Sequence, residues 1–263
     1  MRVRFGYSAD ADDAFMAWGL AEGRVDPRGL EWEHVVFDIQ TLNEWALEGR
    51  LEVTAISAHA YPHVRDRYEL LPHGASMGRG YGPVVVAPEP LSRGQLQRSE
   101  IAVPGRLTTG FLVLREYLGG DFAHRVVPFD EILDEVASGR APAGLVLHEG
   151  QLTYPERGLQ KCVDVGEWWT AEKGLPLPLG IVVARRDLGS ETIAAVAAAF
   201  RESIEAGLAN RDEALRFAMA YARGIDGGTL DRFVGLYVND LSVDMGDEGR
   251  RALDELLALV PLQ

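Results

Sequence analysis

The 263-residue chain has one cysteine, Cys162. A lone cysteine excludes an internal disulfide and a cysteine-built metal site, and it carries no mark of an oxidising compartment. Basic residues are also scarce: 26 Lys and Arg stand against 40 Asp and Glu, a formal charge of -14. A field of that sign repels nucleic acid and anionic membrane surfaces, so neither is expected as a partner. Aromatic residues reach only 8%, within an apolar content of 47%. That is ordinary for a globular chain long enough for one large domain or two modest ones. No apolar run approaches a membrane span. From Met1 the chain goes straight into strand-like alternation over Arg2 to Tyr7, without the apolar segment of an export signal. The expectation is a cytoplasmic protein.

What the chain does have is regular alternation of strand and helix signals. After the first strand, Ser8 to Asp13 offers caps for a helix over Ala14 to Ala21, which Gly23 ends. Glu31 to Phe37 predicts a strand, Ile39 to Leu47 a helix ended by Gly49, and Leu51 to Ile56 a strand that hands over to Ser57. Ala58 to Arg67 reads as a helix broken at Pro62, and Glu69 to Leu71 as another strand. Gly74 to Pro83 sets four glycines around Arg79 but matches neither the dinucleotide fingerprint nor the phosphate loop, so it reads as a flexible rim or tight turn. Val84 to Ala87 is a strand, and the turn-rich Pro88 to Gly94 is the first candidate crossing between domains. A second series follows: strand Ile101 to Val103, a helix through Tyr117, strand Val126 to Phe129, and helix Asp130 to Ala137. Lys173 to Gly180 is the candidate return, before strand Ile181 to Ala184 and helices over Thr192 to Leu208, Asp212 to Ala222 and Gly246 to Leu259. A chain that leaves a domain, builds a second and returns predicts a bilobed α/β protein with a cleft between its lobes. The first lobe is expected over 1–92 and 180–263, the second over 93–179.

Three stretches point into that cleft. Gly144 to Gly150 reads as a short buried strand that delivers His148 and Glu149 where the apolar pattern stops. Ligands bind beyond the carboxyl ends of strands in open α/β sheets, so an imidazole there is placed for proton transfer. Strand alternation would point Glu149 away from it. Thr108 and Thr109 follow a strand and open a helix, where free amides and hydroxyls suit a carboxylate; one of them serves equally well as a plain cap. Ser57 has the same geometry in the first lobe, with Asn43 on the preceding helix. His59 and His63 have the spacing of a zinc pair, but Pro62 interrupts them and no third ligand is nearby, so no metal site is expected. Trp168 and Trp169 are better read as packing residues than as a stacking platform.

Several separated motifs resemble one family in the same order: Thr41 to Leu51, Val64 to Tyr68, Gly78-Arg79-Gly80 with Gly82-Pro83, Val103 to Arg106 with Thr108-Thr109, His148-Glu149 with Thr153-Tyr154-Pro155, and Gly174 to Gly180. They resemble the 1,4-dihydroxy-6-naphthoate synthases of the futalosine route to menaquinone. The resemblance implies an α/β, two-lobed periplasmic-binding-protein-like (type II) fold with an interlobe cleft, used by a cytoplasmic lyase. The implied reaction converts cyclic de-hypoxanthine futalosine, a small-molecule carboxylate, to 1,4-dihydroxy-6-naphthoate without a metal or organic cofactor; a homodimer is compatible with it. By position, His148 matches the family's proton acceptor, Thr108 and Thr109 its substrate-binding pair, and Ala55-Ile56-Ser57 its other substrate segment.

The chain also departs from the family. Where familiar members have Pro-Cys-Pro-Asn-Asp-Thr-Phe, this chain has Ala9 to Phe15; Ser8, Asp13 and Phe15 remain, and Asp10 and Asp12 add charge. A lysine expected in the first-lobe segment is Ala55, and Arg79 is the candidate to compensate. The alternatives are chorismate dehydratase of the same pathway, whose early asparagine segment is absent here, a non-catalytic solute-binding protein, and a sensing module for an aromatic acid.

Overall fold

The computed structural model describes residues 1–222 and 224–260. The expected first-lobe end at 263 therefore lies outside the described residues. In chain order the first lobe opens with β1 (Arg2–Ser8), α1 (Ala11–Ala21), β2 (Glu31–Phe37), α2 (Ile39–Glu48) and β3 (Val53–Ser57). Caps set the helix ends as the sequence leads one to expect: Asp38 accepts from the Thr41 amide, and Gly49 takes the left-handed conformation that closes α2. Ala58–His63 is a short 3₁₀ turn, not a helix reaching Arg67, because Pro62 lacks the amide that would extend it. β4 (Tyr68–Leu70) and β5 (Ser76–Gly78) follow.

The second series comprises β6 (Val84–Ala87), α3 (Arg93–Leu96), β7 (Ile101–Val103), α4 (Thr109–Leu118), β8 (His124–Val126), α5 (Ile132–Ala137), β9 (Ala143–Val146), α6 (Gly150–Thr153), β10 (Gln160–Asp164) and α7 (Val165–Lys173). β11 (Leu177–Arg185) returns the chain, and α8 (Ser190–Ala209), α9 (Arg211–Ala218), α10 (Gly227–Tyr237), α11 (Asp240–Val243) and α12 (Gly246–Leu257) complete it.

Two sheets result. The first has the order β2-β1-β3-β11-β4, with β5 also paired to β11; the second has the order β10-β6-β9-β7-β8. β1 runs parallel to both β2 and β3, while β11 is antiparallel to β3. β6 corrects the expected boundary. It pairs antiparallel with β9 and β10, and all four of its residues are buried. Val84–Ala87 therefore belongs to the second sheet, and the first crossing lies between Gly78 and Val84 rather than at Pro88 to Gly94. The return falls just before Leu177, a few residues ahead of the expected 180. The segment expected to be a rim contains β5, and β8 starts at His124, two residues earlier than expected.

The first crossing packs closely against the start of α7. The Val165 amide donates to the Pro83 carbonyl at 2.9 Å, and the Gly80 amide to the Thr170 hydroxyl at 3.0 Å. A Cβ on Gly166 would sit 2.2 Å from the Tyr81 carbonyl oxygen, and one on Gly78 would sit 2.1 Å from the same atom. Gly78 lets the first crossing turn tightly on itself, and Gly166 lets it lie against the start of α7. Gly166→Ala is expected to destabilise the protein by about 1–3 kcal/mol, because backbone has no free space to yield. Chemical denaturation would show it as a lower midpoint with an unchanged slope.

Candidate active site

The cleft between the sheets holds a partly open cavity of about 90 Å³. The first lobe contributes Ser8, Asp10, Asp12 and Asp13 from the end of β1 and the start of α1, Ser57 from β3, Ser76 from β5, and Phe233 and Tyr237 from α10. The second lobe contributes Thr108, Thr109 and Gly110 at the start of α4, and Leu147, His148 and Gln151 after β9. Both sides thus present strand ends and helix starts to one space, as the crevice rule for α/β sheets requires.

His148 lies two residues past β9 with φ of 50°. This left-handed backbone is sparsely populated for any residue but glycine and breaks the alternation of a strand. Glu149 consequently does not point away from His148. Ligand-type atoms of Asp10, His148 and Glu149 all lie within 4.8 Å of one another. Two carboxylates and one imidazole suit proton transfer, and with water completing the shell they also have the ligand number of a catalytic metal site. The Phe129 ring meets His148 edge-on, with centroids 4.4 Å apart. Glu149 is buried, and its Oε1 accepts from the Ala11 amide at 3.4 Å, which joins the second lobe to the start of α1. Burial, followed by the neighbouring Asp10, raises the Glu149 pKa above the usual carboxylate range. Gln151 and Tyr237 meet at 2.7 Å. With the amide oriented to satisfy its neighbours, Gln151 Nε2 also donates to the Gly82 carbonyl at 2.8 Å and Oε1 accepts from the His148 amide at 3.3 Å.

The other predicted residues divide. Ser57 faces the cavity and is held by Asn43: its amide donates to Asn43 Oδ1 at 2.8 Å, and Asn43 Nδ2 donates to its hydroxyl at 3.0 Å. Asn43 is fully buried and positions Ser57 from behind. Thr108 is the cap of α4, accepting from the Phe111 amide and donating to the Gly105 carbonyl. Thr109 is not left free by that cap. Its hydroxyl donates to the Leu179 carbonyl at 2.8 Å and accepts from the His59 amide at 3.2 Å. What α4 offers a ligand is the amides of its first turn and the positive end of its dipole. Gly110 keeps that approach narrow, since a Cβ there would lie 2.9 Å from Leu147.

Ala55 and Ile56 are buried in the two apolar cores and do not line the cavity. Arg79 does not line it either; it is exposed and pairs with Asp240 and Glu248, so it replaces no lost cation in the cleft. Ser8 and Asp13 are in place. The Ser8 amide donates to Asp13 Oδ2 at 2.8 Å, and burial pushes the Asp13 pKa up to about 6. His59 lies against the Thr108 carbonyl with burial lowering its pKa to about 4, which keeps the imidazole neutral. Trp169 is fully buried with its indole N–H on the Pro176 carbonyl, and Trp168 packs on Tyr117. Asp10 and Asp12 line the cavity at the helix start where the sequence puts added charge, whereas Ser76, Gln151, Phe233 and Tyr237 were missed as lining residues. Polar residues interrupting apolar patterns were the available signal, but only the tertiary fold aims them at one cavity.

Two α/β sheets crossed twice by the chain, with strand ends facing across a cleft, define the periplasmic-binding-protein-like class. A Candida albicans protein described as having the generic periplasmic binding protein fold superposes with a TM-score of 0.74 at 11% identity, over 100% of this chain and 92% of its own. Within that class, a family described as menaquinone biosynthesis matches residues 3–261. A 1,4-dihydroxy-6-naphthoate synthase of Thermus thermophilus is 45% identical over 256 residues, 97% of this chain and 93% of that protein. The crystal structure of protein AF1704 from Archaeoglobus fulgidus superposes with a TM-score of 0.94 at 45% identity, over 98% of this chain and 96% of that one. The chain belongs to this menaquinone-biosynthesis family.

The carboxylates make a prediction about pH. Asp13 keeps its proton in the folded state up to about pH 6 but loses it near pH ~4 when unfolded. Across that window folded Asp13 binds more protons than unfolded Asp13, so its own contribution to stability is highest at the acid end and is lost as pH rises toward 6. Glu52 works in the opposite direction: Arg4 pulls its pKa to about 2, so its contribution is complete above its unfolded pKa of 4.5. His59 opposes this in the same window, because burial lowers its pKa to about 4, so urea unfolding from pH 4.5 to 6 is read as a difference: the stability of the parent relative to Asp13→Asn should fall as pH rises toward 6.

Proposed function

We propose that this protein is a lyase that converts cyclic de-hypoxanthine futalosine to 1,4-dihydroxy-6-naphthoate in menaquinone biosynthesis, with His148 as its general base. The observation that carries the reading is the placement of His148. It lines the cavity together with Ser57 and the start of α4, in a left-handed backbone conformation that is costly for a residue other than glycine. The family membership supports the substrate class.

In this reading the substrate carboxylate meets the first-turn amides of α4 and the Ser57 hydroxyl, where the helix dipole offsets its charge without a lysine or arginine. The neutral His148 imidazole removes a proton from the bound substrate, a carbon–carbon bond breaks, and aromatisation of the bicyclic product drives the step. General-base help of this type contributes about 10²–10⁴-fold. Gln151 fixes the His148 backbone through its amide, and Glu149 ties that turn to the start of α1. The reading includes a cytoplasmic location and no metal or organic cofactor.

Purified protein and its His148→Ala variant, each incubated with cyclic de-hypoxanthine futalosine, should differ by about 10²-fold or more in naphthoate formation followed by mass spectrometry. The variant should retain the fold and bind substrate. A folded parent that binds without turnover would favour a binding module, and one that acts equally well without His148 would remove the base assignment.

A further inference from the structure

We propose that Asp12 is held in the folded protein as a neutral carboxylic acid and donates a hydrogen bond from it to a non-carboxylate oxygen of the substrate. The inference rests on the proposed lyase reading for the identity of the substrate and extends it to a residue that orients that substrate.

The argument begins with position. Asp12 lines the cavity at the second residue of α1 yet is only 8% exposed. The buried Ser76 hydroxyl on β5 donates to its Oδ2 at 2.9 Å, which fixes the side chain and leaves Oδ1 for a ligand. The surroundings decide the protonation state. On its own element Asp12 faces Asp10 and Asp13; from α10 it faces the buried Tyr237; and from the segment around α6 it faces His148, Glu149 and Gln151. Among the described residues that line the cavity there is no lysine or arginine. No basic side chain in that wall offsets a buried charge; the dipole at the start of α1 and the Ser76 hydrogen bond favour the ion, and burial, then Asp13 and Asp10, outweigh them in favour of the protonated acid.

A neutral acid changes what the cavity recognises. Ionised, Asp12 would accept hydrogen bonds and repel an anionic substrate entering an already acidic cleft; protonated, it offers one donor and no charge. The cleft then has two chemically distinct ends. The α4 start takes the carboxylate, and the α1 start takes a hydroxyl or carbonyl oxygen, which orients the substrate so that its reacting carbon faces His148.

The test has one readout independent of turnover and one that depends on it. Difference infrared spectra of the parent and Asp12→Asn at neutral pH should show a protonated carboxyl band that is lost in the variant. In steady-state kinetics, KM of the parent should rise toward alkaline pH as Asp12 ionises. Asp12→Ala should raise KM about tenfold or more at neutral pH with a smaller effect on kcat. Asp12→Asn, which keeps a donor of similar shape, should recover most of that loss and no longer show the alkaline rise. The proposal is overturned if no such band is lost, if Asp12→Ala leaves KM unchanged, or if Asp12→Asn is as impaired as Asp12→Ala. If the parent shows no turnover at all, the lyase reading fails on its own, and the same variants are compared by calorimetric binding of 1,4-dihydroxy-6-naphthoate. Weaker binding by the alanine variant with recovery in the asparagine variant would support the donor there, and equal binding by all three would overturn it.

Discussion

The site depends on one backbone constraint, the left-handed turn at His148. Without it the chain leaving β9 would continue its alternation, sending successive side chains to opposite faces. With it, His148, Glu149 and Gln151 all work on the same side. His148 enters the cavity, Glu149 reaches the Ala11 amide, and Gln151 meets Tyr237 on α10. A conformation of this type costs about 1–3 kcal/mol and persists only where surrounding contacts over-determine it. Here those contacts come from both lobes, so the geometry of the histidine and the closure of the cleft are one arrangement.

Charge is the second organising factor. The cavity gathers Asp10, Asp12 and Asp13 with Glu149 close by, and its wall contains no basic side chain among the described residues. The arginines sit elsewhere. Arg4 and Arg185 bind Glu52 at the far ends of the first-sheet strands, and Arg79 is held by Asp240 and Glu248. Burial raises the pKa values of the cleft acids, which lets an acidic pocket present less charge than its composition suggests. Helix starts replace cations as the source of positive potential, at α4 for a ligand and at α1 for Glu149.

Much of the fold was legible because its signals are local. The strand at Arg2 to Tyr7, the α2 helix closed by Gly49, and the α4 helix capped by Thr108 each follow from a hydrophobic period and a capping residue. His148 was legible as a polar residue ending an apolar run, and Thr108 as a cap. The misreadings share a cause. β6 looks like any buried strand, and which sheet it joins is set by pairing with β9 and β10, both more than fifty residues away. Thr109 looked available until His59 and Leu179 took its hydroxyl, and Arg79 looked available until Asp240 and Glu248 paired with it.

The sequence by itself determined the alternating α/β class, the acidic character, the exclusion of disulfides, and the likeness to one enzyme family. These depend on composition, short-range period and motif order. Only the tertiary structure decided where the chain crosses between sheets, that Glu149 turns back toward His148, and that Asp12, Ser76, Gln151 and Tyr237 share a wall with it. Each of those is a contact between segments far apart in the chain, or a backbone angle imposed by such contacts, and no local pattern encodes the partner.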